Sequence, residues 1–246
     1  NIEIITRKYK RKIHIKEIKN QSNKIKKKIK KDIKLITQKK KFKRLNFLHL
    51  PILMGIINLT PDSFSDGGKY NKKDKSFKHI SNMIQAGAKI VDVGGESTRP
   101  GSSTISNDNE WKRIKFVIKN FKKKYKNISL SVDTRKTEIM LKAISNKADL
   151  INDVSGFNYD KDSLYKLKKF KTSKVIHHMQ GTPNTMQIKP MYKNVLLDIY
   201  DFFEDKINCI GSKNLILDPG IGFGKTLKHN LTLISKISLF HSLGFP

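Results

Sequence analysis

Cysteine, tryptophan and arginine are all scarce in this chain of 246 residues, with one cysteine, one tryptophan and six arginines. A single cysteine, Cys209, excludes a disulfide framework within the chain. It lies in the helix-like run IYDFFEDKINCI, where a small buried hydrophobe is the expected role. No run of eighteen apolar residues occurs, so no membrane-spanning helix is expected. The opening NIEIITRKYKRK lacks the pattern of a secretory signal. These absences together point to a reducing cytoplasm. No Cys/His grouping has zinc-site spacing, and no serine or cysteine nucleophile is apparent.

Acidic residues are also few: 21 Asp+Glu stand against 51 Lys+Arg, a net charge of +30. Such an excess suggests a polyanion partner. The scarcity of arginine argues against nucleic acid as the main partner, because the guanidinium fork is what reads phosphate and guanine bidentately. The abundance of Lys, Ile and Asn has the look of codon bias in an AT-rich genome. The charge is uneven, with 19 basic and 3 acidic residues in positions 1–50. That segment is expected to be a Lys-rich extension of unknown role. Ile25, Ile29, Ile33 and Ile36 recur at helical spacing within it, which predicts an amphipathic helix that packs on something else.

From Pro51 to Pro246 the pattern changes to alternating strands and helices. Apolar strand-like runs are expected at 52–58, 89–95, 128–133, 149–153, 174–179 and 214–218. Helices are expected near 74–86, 107–124, 136–146, 162–170, 192–210 and 227–241. Six βα units in succession argue for an α/β fold with a parallel sheet. A (β/α)8 TIM barrel, incomplete here, is the leading architecture, and a doubly wound sheet is the alternative. Each strand run ends in a polar or glycine residue: Asn58, Gly94 and Gly95, Asp133, Asn152 and Asp153, His178, and Asp218. In a barrel these would converge on one rim.

Asp133 and Asp218 each close an apolar run. Each could accept paired hydrogen bonds from a ligand edge with adjacent N–H groups, as pterins and purines have. Asp133 could instead cap the helix that follows. Asn152 offers an amide suited to a ring with mixed donors and acceptors. The loop GGESTRPGS places Glu96, Thr98 and Arg99 together; Arg99 reads as a phosphate clamp or as the salt-bridge partner of Glu96. The loop TPDSFSDGG, with Asp62, Ser63 and Phe64, has the glycines of a lid. The run DPGIGFGKT invites a phosphate-loop reading, but three residues, not four, separate Gly220 from Gly224, so that reading is rejected. Its glycines would let backbone approach a flat ligand. His177 and His178 must lie on opposite strand faces.

The motifs MGIINLTPDSFSDGG, AGAKIVDVGGESTRPGS, SVDTRKTE, INDVSG, HHMQGTPNTMQ and LDPGIGFGKTLKHN resemble those of dihydropteroate synthase, in that family's order. The resemblance implies a (β/α)8 barrel that joins 6-hydroxymethyl-7,8-dihydropterin diphosphate to 4-aminobenzoate in folate biosynthesis. It implies that Asn58 binds Mg²⁺ with the diphosphate. Asp133, Asn152 and Asp218 would hold the pterin, with Met179 against its ring. Thr98 and Arg99 would meet diphosphate and aminobenzoate, Phe223 would line the aminobenzoate pocket, and Asp62, Ser63 and Phe64 would close as the lid. Asp133, Arg99 and Asp218 are the expected catalytic residues. The family's Ser-Arg-Lys and Arg-x-His segments are not found, and the sequence stops where a seventh strand is expected. It is therefore expected to be a fragment, inactive alone, of an enzyme that forms homodimers. Two other readings stay open: another pterin-binding barrel, such as the methyltetrahydrofolate-binding part of a methyltransferase, and a binding protein without catalysis.

Overall fold

The computed structural model describes residues 1–38, 51–60, 72–97, 103–211 and 214–246. Two short strands open the chain, β1 (Ile2–Ile5) and β2 (Lys10–Ile13), paired antiparallel. A 3-10 turn at Ile15–Asn20 leads to helix α1 (Asn23–Thr37). Six βα units follow. Their strands are β3 (Met54–Asn58), β4 (Ile90–Gly94), β5 (Ser129–Asp133), β6 (Leu150–Asp153), β7 (Ser173–His177) and β8 (Leu215–Asp218). Their helices are α2 (Lys72–Gln85), α3 (Asn107–Lys124), α4 (Thr137–Ser145), α5 (Ser163–Leu167), α6 (Val195–Ile210) and α7 (Leu227–Ser235), the last followed by a 3-10 helix at Ile237–Leu243.

The six strands are all parallel and lie side by side in chain order. A doubly wound sheet reverses its strand order part-way. No such reversal occurs among the described strands, so the barrel reading holds over that alternative.

Local chemistry accounts for the helices. Ser106 caps α3 by accepting from Asn109 N–H, acidic Asp108 and Glu110 fill its first turn, and Lys122, Lys123 and Lys124 its last. Its buried residues Glu110, Ile114, Val117, Ile118 and Phe121 fall on one 3.6-residue face. Asn194 caps α6 by accepting from Leu196 and Leu197 N–H. Gly211 ends it in the left-handed region at φ 60°. Cys209 is exposed on that helix, contrary to the buried role expected of it; the buried face runs through Val195, Ile199, Phe203 and Ile210.

Strand residues alternate between two surroundings. Ile57, Val91, Val93, Leu130, Val132, Ile151, Ile176, Leu215 and Leu217 form the main core, shared with helical Ile80, Ile114, Met140 and Phe203. Ile90, Leu150, Val175, Met54 and Ile216 form a second cluster on the opposite face, the floor of the barrel lumen. The main core fixes which residues face inward at the strand ends.

The N-terminal elements dock on the outside of this layer. Helix α1 packs against Ile237–Leu243, and Ile5 joins the main core. Arg7 pairs with Asp198 and Asp201, and Glu3 accepts from Lys236 at 2.8 Å. Within α1, Ile29 is buried and Ile25 half-buried, whereas Ile33 and Ile36 are exposed. The inward stripe runs through Ile25, Ile29, Asp32 and Leu35, so four isoleucines at helical spacing do not mark one buried face.

Candidate active site

Residues in step with the lumen floor continue up each strand to a polar rim. Asn58 pairs in register with Gly94, Gly94 with Asp133, and Asp133 with Asn152. The register then shifts: Asn152 lies opposite Val175, and His177 opposite Asp218. Asn58, Asp133, Asn152, His177 and Asp218 thus ring one mouth, as the polar strand ends predict. The imidazole of this ring is His177, not His178. His178 faces the helical layer, where its ring meets Phe202 edge-on at 4.9 Å.

Carboxylates crowd one side of the mouth. Asp92, one pleat below the rim on β4, is buried, and its Oδ2 accepts from Asn152 Nδ2 at 2.9 Å. That contact orients the amide and leaves Asn152 Oδ1 buried without a partner among the described residues. Burial raises the Asp92 pKa. Burial raises Asp133 well above the usual carboxylate range, and the nearby charges of Asp92, Asp153, Glu110 and Glu96 push it further. Asp153, next to Asn152 on β6 and so on its helical face, is pushed to about 6 by burial, although Ser155 and Phe157 N–H groups bond to it. Crowded, buried carboxylates of this kind favour incoming hydrogen-bond donors or positive charge.

The other side differs. Asp218 Oδ1 accepts from Gly220 N–H at 2.8 Å, and Oδ2 lies 3.1 Å from His177 Nδ1. Burial works against its charge, but these donors outweigh it and its pKa falls. Phe223 sets its ring edge-on to His177 at 4.6 Å. Met179 is half-buried just beyond β7. Lys225 is buried below this loop and donates to the carbonyls of His178, at 3.2 Å, and Phe223, at 2.8 Å. It thereby ties the 218–226 loop to β7.

Glycines in that loop serve the chain's own packing. A Cβ on Gly220 would lie 2.0 Å from His178 O, and one on Gly224 2.9 Å from Gln180 O. The space expected for a flat ligand at these two positions holds the end of β7.

Asp133 does not cap α4. Lys136 is the N-cap residue there, without a side-chain cap, while Asp160 Oδ2 accepts from Thr137 N–H at 3.3 Å. Glu96 is held by Arg135 at 2.9 Å and Lys136 at 3.0 Å. Lys136 also reaches Glu110 at 2.7 Å. Thr98, Arg99, Asp62, Ser63 and Phe64 lie outside the described residues. A cavity of about 820 Å³ beside the rim is lined by Ser106, Lys136, Thr137, Tyr159 and Lys166, and by none of Asp133, Asn152 and Asp218.

Asn58 is an exposed amide, and a Cβ on Gly94 would lie 2.8 Å from its Oδ1 and 3.5 Å from Asp133 Oδ2. Among the described residues no group of three or more His, Cys, Asp or Glu is placed to hold a metal. A lone amide oxygen at an open rim fits Mg²⁺, which keeps its waters and borrows oxygens from phosphates.

Residues 54–246 match the family model described as pterin binding enzyme. The chain is 40% identical over 209 residues to a dihydropteroate synthase of Clostridium beijerinckii, covering 83% of this chain and 75% of that protein. The chain belongs to the dihydropteroate synthase family. Solved members share its fold. The dihydropteroate synthase of Yersinia pestis, in a sulfonamide drug complex, superposes with a TM-score of 0.73 at 39% identity, over 80% of this chain and 72% of that one. That of Xanthomonas albilineans with 4-aminobenzoic acid gives 0.74 at 34% identity, over 82% and 73%. The same organism's enzyme is also solved with 7,8-dihydropteroate, at 0.71 and 31% identity, over 83% and 73%. These dihydropteroate synthases are (β/α)8 barrels, and the six units seen here are part of that architecture. Among the described residues no helix is long and apolar enough to cross a membrane.

Proposed function

We propose that the rim site condenses 6-hydroxymethyl-7,8-dihydropterin diphosphate with 4-aminobenzoate, giving 7,8-dihydropteroate and diphosphate. The observation that carries this reading is the convergence of Asp133, Asn152 and Asp218 on one mouth, in a chain whose relatives are solved with 4-aminobenzoic acid and 7,8-dihydropteroate.

Asp133, Asn152 and Asp218 hold the pterin. Asp218, ionised and open to the mouth, suits the paired N–H donors of the ring edge. Asn152 offers its unpartnered Oδ1 to a ring donor. Asp133 gives up its proton more readily once donors or a developing cation arrive. Met179 packs on the ring and Phe223 borders the arylamine. Thr98 and Arg99 meet diphosphate and aminobenzoate, and Asp62, Ser63 and Phe64 act with them on the bound substrates.

The bond from the pterin methylene to the diphosphate oxygen breaks, and the arylamine nitrogen bonds to the same carbon and sheds one proton. As the leaving group departs the methylene becomes cation-like, and the carboxylates of the lumen stabilise that charge. Asn58 would hold Mg²⁺, and that ion would supply charge neutralisation for diphosphate as a leaving group. The protein works in the cytoplasm as a homodimer, with small molecules and not nucleic acid as its other partners.

The test is condensation of labelled 4-aminobenzoate by the protein expressed from its complete reading frame, beside Asp133→Asn. The expected result is turnover in the parent and a loss of at least about a hundredfold in the variant, with the fold intact. Equal turnover by the two proteins would remove Asp133 from its role. Pterin binding without aminobenzoate transfer would point to another pterin-barrel activity.

A further inference from the structure

We propose that His177 is a positioning residue for the pterin edge, holding Asp218 so that each carboxylate oxygen keeps one acceptor site open to the ligand. This rests on the pterin reading of Asp218 given above. The geometry supplies the argument. An ionised carboxylate oxygen can accept about two hydrogen bonds. Here Oδ1 receives one from Gly220 N–H at 2.8 Å and Oδ2 faces His177 Nδ1 at 3.1 Å. One acceptor site on each oxygen remains. The Asp218 side chain is 44% exposed toward the mouth, whereas that of His177 is 7% exposed.

The surroundings also choose the tautomer. His177 Nε2 is buried with no hydrogen-bond partner among the described residues. It lies 2.9 Å from where a Cβ on Gly220 would sit, so the loop closes over it. A proton on Nε2 would be buried without an acceptor, whereas a proton on Nδ1 meets Asp218. Of the two neutral tautomers, the surroundings therefore favour Nδ1–H. Phe223 covers one edge of it at 4.6 Å. The charged groups that act on it are Asp218 from β8 and Asp153 from β6, with His178 and its partner Lys225 on the far side of the strand. Without the Nδ1–H donor, the Asp218 charge would keep Gly220 N–H, the charge of Lys225 and the solvent of the mouth, but lose its His177 partner. Its ionised form would then be reached at higher pH.

Two replacements separate positioning from packing. His177→Leu removes the donor, and His177→Asn places an amide N–H close to the Nδ1 position. Binding of 6-hydroxymethylpterin to the complete protein would be measured from pH 4 to 9. His177→Leu is expected to weaken binding about tenfold and to move its acid limb to higher pH, as loss of one charged hydrogen bond does. His177→Asn is expected to restore both. Binding by His177→Leu equal to the parent, with the same acid limb, would overturn the proposal and leave the pterin reading standing. So would equal losses in both variants. Absence of pterin binding in the parent would overturn both. Nitrogen NMR of the unsubstituted protein gives a check that needs no variant: the Nδ1–H tautomer is expected, and an Nε2–H tautomer would refute the proposal.

Discussion

Lys136→Met removes the cation that reaches two buried carboxylates at once. In the parent its Nζ lies 3.0 Å from Glu96, 2.7 Å from Glu110 and 2.7 Å from the Ile105 carbonyl. Glu96 keeps Arg135 and the Ile105 N–H after the change, so it is not stranded. Glu110 is different, being 0% exposed, with Oε1 already unpartnered. Methionine fills the volume but leaves a buried carboxylate without a counter-ion, a change that costs about 3–5 kcal/mol. With a total stability of about 5–15 kcal/mol, that is a large share. At a urea slope of about 2 kcal/mol/M the midpoint should fall by about 2 M. Lys166→Met is the internal comparison. Lys166 pairs with Asp162 at 3.0 Å, but both side chains are well exposed, and such a pair contributes under about 1 kcal/mol. Adding Glu110→Gln to Lys136→Met should recover part of the loss, because the charge left unpaired is then gone. Urea unfolding of the four proteins decides the matter. A Lys136→Met midpoint within 0.5 M of the parent, on the order of 1 kcal/mol by the same slope, would refute the account.

Two further outcomes follow from the site. Gly220→Ala puts a Cβ 2.0 Å from His178 O at φ +68°, and should cost more than about 2 kcal/mol. Gly222→Ala, at φ +86° but with open space around it, should cost about 1 kcal/mol, and calorimetry of the pair would expose any error in ranking clash above strain. Asp153 has a folded pKa of about 6 against an ordinary 3.8, so its ionisation opposes folding above that range and not below it. On acidifying from pH 7 to 4 the parent should therefore gain stability relative to Asp153→Asn; parallel stability curves for the two proteins would show the assignment to be wrong.

Much of the fold was legible because each barrel strand is an apolar run closed by a polar residue. Helix α3 falls at 107–124 as its periodicity predicts, and the other strands and helices of the βα units begin within about three residues of expectation, although the helix expected at 227–241 divides into α7 and the 3-10 helix Ile237–Leu243. What stayed hidden depended on depth and on facing. Asp92 sits inside IVDVGG, and only the lumen side of β4 makes it the partner of Asn152. The choice between His177 and His178 needs the strand's register, which a single polar ending does not give. Glu110 and Lys136 read as ordinary surface charges until their helices are packed together. The hairpin at residues 2–13 escaped notice because Lys10–Ile13 alternates poorly, with three exposed residues before the buried Ile13. Its stability comes from partners almost two hundred residues away, and no local pattern encodes those.

That distance bears on how the molecule is made. Glu3 is separated by 233 residues from Lys236, and Arg7 by 194 from Asp201. On the ribosome the hairpin and α1 emerge well before residues 198–243, which supply the surface they dock on. Residues 1–38 must therefore wait undocked while the βα units accumulate behind them. Contacts of such long sequence separation form slowly. Final docking of residues 1–38 is thus a late event, timed by the appearance of the 237–243 helix and not by their own sequence.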